Sequence, residues 1–169
     1  MTILLIISVL VVVLYVGATI WRKRDLPASI SSLVYDLPSG WQWVWTIWIW
    51  LATYTLTPVL FEVMPDELGA VAHAFATSML FTGAMPLVKH EGNKAHNVLG
   101  VAAGVFSQVC VLLLNHCWLM MWFGFVASVF IVVYRKGKSL NIVLSDYGVF
   151  LSESFCWLTL VCCLFSEMV

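Results

Sequence analysis

The sequence predicts an all-α integral membrane protein with six transmembrane helices and with N-terminus and C-terminus both outside. Three observations predict it. First, apolar residues fill 62% of the 169 positions, charged residues only 10%, and the mean hydropathy is +0.98. A soluble domain runs at about 45–50% apolar and about 25% charged residues, which excludes a water-soluble globule and a disordered chain. Second, the apolar residues fall in six unbroken runs, each near the roughly 20 residues that cross a hydrocarbon core about 30 Å thick. A membrane barrel would instead show alternating segments of about 10 residues. Third, all eight basic residues (Arg22, Lys23, Arg24, Lys89, Lys94, Arg135, Lys136 and Lys138) lie after the first, third and fifth runs. The positive-inside rule assigns those three connections to the cytosol. The formal net charge of −1 leaves no basic footprint for nucleic acid, so the expected surroundings are membrane lipid and, for so small a bundle, further copies of the same chain.

The first span, about 3–21, has no basic stretch before it, RKR after it and no small-x-small cleavage site. It is expected as a retained helix and not a signal peptide. In the following connection Pro27 and Pro38 bracket SISSLVYD, too short and too polar to cross; an interfacial or re-entrant segment is expected. The second span, about 41–62, opens with Trp41, Trp43 and Trp45, read as markers of the inner boundary. Pro58 should free the carbonyl of Tyr54, with Thr53, Thr55 and Thr57 near enough to compensate. The third span, about 68–87, carries Gly69, Ala76 and Gly83 on one face. The fourth, about 95–114, carries Gly100 and Gly104 as GxxxG, extended by Ser107. Such small-residue stripes let helices approach closely in lipid, and the two are expected to form a packed hairpin at the centre. The fifth span, about 117–134, begins with Trp118 and Trp122 at the outer boundary. The sixth, about 146–166, is acidic. Residues 1–169 are therefore expected as a single polytopic membrane domain with short connections.

Ionisable groups within a membrane helix are costly and invite a functional reading. Glu153 is the leading candidate. It lies on one helix face with Asp146, about 10 Å in from the cytoplasmic end, and Gln108 lies deeper on the fourth span. A proton or cation relay and a carboxyl bonded to a neighbouring helix both fit. A second set, Glu62, Asp66, Glu67, His73, Asn115 and His116, gathers at the outer turns. Histidine and carboxylate together suit zinc or hydrolysis, yet no HExxH spacing occurs, and a polar rim at the water boundary accounts for the same residues. His90 and His96 sit at the edge of an inner loop among basic residues, which fits lipid headgroups better than haem ligation. No cofactor and no catalytic residue are expected. Of five cysteines, Cys117 lies near Cys162 and Cys163 at the outer face, so either pairing or simple apolar burial is open.

PASISSLVYDLPSGW, from Pro27 to Trp41, followed by a tryptophan-rich span, resembles small polytopic membrane proteins of Bacteroidota and their phages. The resemblance continues through the PDEL turn to KAHNVLG and the acidic sixth helix. It departs at Val34–Tyr35–Asp36, where two aromatics and then aliphatics would be expected. That family has no assigned chemistry, so the resemblance implies a six-helix fold and no functional residue. A likeness to ceramidase-type membrane hydrolases fails on their three-histidine set. The expected function is a channel- or transporter-like protein of the cell (inner) membrane, moving protons or cations. The alternatives are an intramembrane metal-dependent hydrolase and a structural protein that binds a partner.

Overall fold

The computed structural model describes residues 1–38, 40–88 and 94–169. Lys89, His90 and Glu91, expected in an inner loop, lie outside the described residues. Six α-helices follow one another: α1 (Thr2–Lys23), α2 (Gln42–Val63), α3 (Gly69–Val88), α4 (Lys94–Asn115), α5 (Trp122–Lys136) and α6 (Leu140–Met168). Short 3-10 helices occupy Ser31–Asp36, Asp66–Leu68 and His116–Met121. No strand occurs among the described residues. Five helical stretches are long and apolar enough to cross a membrane, with Lys94–Lys136 counted as one.

That stretch is a hairpin and not one long rod. Trp122 Nε1 donates to Gln108 Oε1 at 2.9 Å, whereas fourteen residues of straight helix would part them by about 21 Å. The reversal falls at Asn115, whose backbone is extended and whose side chain accepts from the Cys117 amide. Alternation holds throughout. Ser8 bonds Ala52 while Trp48 bonds Val11, so α1 and α2 are antiparallel. Thr46 meets Gly83 and Phe61 packs on His73, so α2 and α3 are too. Trp118 meets Ser166 and Phe125 packs on Phe155, so α5 and α6 also run opposite ways. Consequently every described Lys and Arg sits at one end of the bundle, together with Asp25, Asp36 and Asp146. Glu62, Asp66, Glu67 and Glu167 sit at the other, beside both chain ends.

Burial selects stripes, not polarity. In α1 the inward face is Leu5, Ser8 and Val12, spaced three and four residues apart, while Ile3, Ile6, Leu10 and Leu14 face outward. The outward face is as aliphatic as the inward one, as expected where lipid and not water is the surrounding solvent. Three apolar clusters result. One at the acidic end joins Leu5, Leu56, Leu60, Leu160 and Leu164. A second joins Val12, Leu33, Val34, Trp45, Trp48 and Ile49. A third, at the basic end, joins Val129, Val143, Tyr147 and Phe150.

Several expectations are corrected. Helix α6 starts at Leu140, not near 146, because Ser139 is extended and SLNIVLS contains no breaker; at 29 residues it is about 43 Å long, more than the roughly 30 Å of a hydrocarbon core. Trp45 is not a boundary residue: it is fully buried, while Trp41 and Trp43 are exposed and stacked at 5.9 Å. The threonines near Pro58 donate to Ile49, Leu51 and Thr53, not to Tyr54. The two glycine stripes do not face each other. A Cβ on Gly83 would lie 2.9 Å from Ile49 on α2, and one on Gly104 would lie 3.6 Å from Cys156 on α6. Gly69 and Gly100 have nothing within 4 Å of that position. Helices α3 and α4 still make the most extensive pairing, and larger side chains take part in it.

One of these is His96, which the sequence places at a loop edge and the structure buries to 1% exposure. The cause is Pro86, inside α3. Proline has no amide to give the carbonyl four residues back, which is that of Thr82. His96 Nδ1 lies 3.1 Å from that carbonyl and supplies the missing donor from α4. Trp45 packs beside the imidazole at 5.6 Å.

Two thermal-unfolding series in detergent check these contacts. Gly83→Ala lowers stability by about 1 kcal/mol, since overpacking against a β-branched methyl and an indole outweighs the helix propensity gained; Gly100→Ala does not lower it. His96→Leu costs about 2 kcal/mol by orphaning the Thr82 carbonyl, and costs measurably less in a Pro86→Ala background, where residue 86 regains its amide. Equal costs in both backgrounds contradict the assignment.

Candidate functional site

The site begins with a short polar segment folded into the basic end of an apolar bundle. Pro27 ends the extension of α1, and a serine triplet organises the next turn. Ser29 Oγ accepts from the Ser32 amide at 2.8 Å, and Ser32 Oγ donates back to the Ser29 carbonyl at 2.8 Å. This reciprocal bonding starts the 3-10 helix Ser31–Asp36, whose Leu33 and Val34 drop into the tryptophan cluster of α2. The rim is pinned by charge. Lys23 pairs with Asp36. Asp25 accepts from Lys136 at 2.7 Å and lies 3.4 Å from the Tyr147 hydroxyl. The Lys136 hydrogen bond, with the Leu26 amide second, holds the Asp25 carboxyl below the usual carboxylate range. This pin is therefore intact above the ordinary aspartate pKa and is lost only as pH falls through the lowered value.

The deeper anchor is Glu153 on α6. Its Oε2 accepts from the amides of Ile30 at 2.5 Å and Ser31 at 3.3 Å, and its Oε1 from Ser31 Oγ at 2.9 Å. Ser31 Oγ also lies 3.1 Å from Ser29 Oγ. The single Ser31 hydroxyl proton therefore lies between Ser29 Oγ and Glu153 Oε1. One turn earlier on α6, the Phe150 amide donates to the Ala28 carbonyl at 3.1 Å. Helix α6 thus holds the segment by accepting at one point and donating at another.

Glu153 lies in the wall between two spaces. On one side a narrow chamber of 120 Å³ runs into the bundle among α1, α2, α3, α4 and α6, walled by Trp45, Trp48, Phe75, Trp157, Ala52 and Ala103. On the other a groove of 850 Å³ lies between α4 and α6, polar at the basic end (Ser29, Asn97, Ser145, Ser152) and apolar beyond (Val105, Leu112, Leu119). Ser31, Gly100, Gly104 and Cys156 border both. Lacking side chains, Gly100 and Gly104 leave the wall beside Glu153 thin. Past the chamber, Leu56 and Leu160 open the aliphatic cluster that fills the acidic end.

The other candidates go elsewhere. Asp146 pairs with Lys138 at 2.7 Å and does not meet Glu153. Gln108 lines the groove, but its amide is engaged at both ends: it donates to the Cys156 carbonyl and Ser107 and accepts from Trp122. It ties α4, α5 and α6 together. Glu62, Asp66, His73 and His116 are exposed, and His73 packs on Phe61 at 4.4 Å. Among the described residues no three His, Cys, Asp or Glu side chains stand where they could hold one metal ion. All five cysteines are free thiols, with Cys117 exposed and Cys110 and Cys163 buried. Sequence reasoning singled out Glu153 but not its partners. The clustered serines between Pro27 and Pro38 were the available signal, since hydroxyls and free amides in an apolar chain need an acceptor.

A scan of protein-family models, a search of curated proteins and a search of solved structures each find no match to this chain.

Proposed function

We propose that the chain is a carrier-type transporter of the cell (inner) membrane that moves protons or small cations through Glu153. Its basic end lies in the cytosol and both chain ends lie outside. The orientation rests on the collection of Lys and Arg at one end. The observation that carries the function is the position of Glu153, an acid between a groove with a polar mouth at the basic end and a chamber leading inward. Buried acids at such positions commonly serve ion pathways. A carrier fits better than an open pore, because aliphatic side chains from α1, α2 and α6 close the far end. In this conformation the polar mouth of the groove lies at the basic end. Release to the other side requires that cluster to part and the Ile30–Ser31 clamp to let go. The metal-hydrolase alternative draws no support from the exposed outer carboxylates and histidines.

Flux in proteoliposomes under an imposed pH gradient, read by an internal pH-sensitive dye, checks this. The wild-type protein should collapse the gradient faster than empty vesicles. Glu153→Gln should slow it at least about 10-fold, and Asp146→Asn should leave it within about twofold. Wild-type flux no faster than empty vesicles, or unchanged flux in Glu153→Gln, overturns the reading.

A further inference from the structure

The groove between α4 and α6 changes character along its length. Asn97 and Ser145 stand exposed at its basic mouth. Beyond them the walls are apolar, and Val101, Val105, Leu112 and Val149 are exposed. The path of α5 explains why. The reversal at Asn115 brings Leu119 and Trp122 to the border of the groove, with the Trp122 indole fixed on Gln108. Away from that bond α5 packs on α6 and makes no extensive contact with α4. Charge completes the pattern. Among the described residues the three acids at the basic end are each held in an ion pair: Asp36 with Lys23, Asp25 with Lys136 and Asp146 with Lys138. Arg22, Arg24, Lys94 and Arg135 therefore make this end net positive. Lys94 is exposed and lies seven residues before Val101, two turns along the same face of α4.

We propose that this groove binds one anionic phospholipid from the leaflet at the basic end, with an acyl chain against Val101, Val105 and Leu112 and the phosphate at the rim near Lys94. The length fits. From Asn97 to Leu112 α4 rises about 22 Å, and the chains of one leaflet fill half of a core about 30 Å thick. The volume of 850 Å³ lies within the range of about 300–1,000 Å³ common to small-molecule sites. The class follows from the ends. Apolar walls suit a hydrocarbon chain, the amide and hydroxyl at the mouth suit ester oxygens, and basic pockets between membrane helices take anionic headgroups. Glu153 lies eight residues beyond Ser145, about 12 Å deeper along α6, so the phosphate does not meet its carboxyl. The site goes beyond the transport reading and does not rest on it, since binding needs no gradient. An occupied groove covers the approach to Glu153 from this side.

The test is native mass spectrometry of the full chain in detergent, titrated with phosphatidylglycerol and with phosphatidylcholine of the same acyl chains. Phosphatidylglycerol should saturate at one tightly held molecule per chain, with phosphatidylcholine about 10-fold weaker. Lys94→Gln should weaken phosphatidylglycerol about fivefold and leave phosphatidylcholine within about twofold. Gly100→Leu fills the groove from α4 and should weaken both lipids about 10-fold; a Cβ at Gly100 meets nothing within 4 Å, and thermal unfolding checks the fold. If Gly100→Leu does not fold, Val101→Trp at an exposed position of the wall replaces it, with the same expectation. Ile3→Trp, on the outward face of α1, should leave both affinities unchanged. No saturable binding, equal affinity for the two lipids, a lipid-free dimer in place of the adduct, or wild-type binding in Lys94→Gln or in the groove variant overturns the proposal. So does equal weakening by Ile3→Trp.

Discussion

The carboxyl group of Glu153 makes it possible for a segment that leaves the α-helical path to lie inside an apolar bundle. Backbone amides that leave a helix in such surroundings have no water to turn to, and each unmet one costs several kcal/mol. The turn into Ser31–Asp36 exposes the amides of Ile30 and Ser31, and Glu153 takes both, with the Ser31 hydroxyl added. The Phe150 amide returns the favour to Ala28. Removing the acceptor would leave two half-buried amides without partners and the Ser31 hydroxyl with Ser29 alone. The segment would then be expelled toward the basic rim, taking Leu33 and Val34 away from the tryptophan cluster.

The same clamp sets the shape of the cavities. With the segment in place, Ser31 and Glu153 divide the groove between α4 and α6 from the chamber beneath Trp45. Gly100 and Gly104 keep that partition thin from the α4 side. The bundle is consequently asymmetric along its axis. One end is basic, hydroxyl-rich and penetrated by solvent-sized spaces; the other is acidic at its rim and packed with leucine within. The carrier reading rests on that asymmetry.

How much of this was legible in the sequence depended on the range of the interaction. Helices declare themselves through local apolar runs, so all six were readable, and even the reversal at Asn115 sat where the runs broke. The start of α6 was missed because SLNIVLS is polar enough to read as loop while containing nothing that stops a helix. Glu153 was conspicuous as an isolated acid in an apolar stretch, but its partners lie more than 120 positions away, and nothing local points to them. His96 was misplaced for a similar reason. Its neighbours in sequence are basic and loop-like, whereas its partner is a carbonyl freed by Pro86 on another helix. The glycine stripes were seen correctly as small faces but given the wrong partners, since spacing tells which residues share a face and not which helix meets it.

The most direct measurement of the central claim is hydrogen exchange of residues 28–36 in the membrane-embedded protein, read by mass spectrometry. The clamp predicts slow exchange of this segment, comparable to the adjoining helices, and acceleration of at least about 10-fold in Glu153→Ala with the peptides of α2 and α3 unaltered. Fast exchange of the segment in the wild-type protein, or slow exchange that persists without the Glu153 carboxyl, would contradict it.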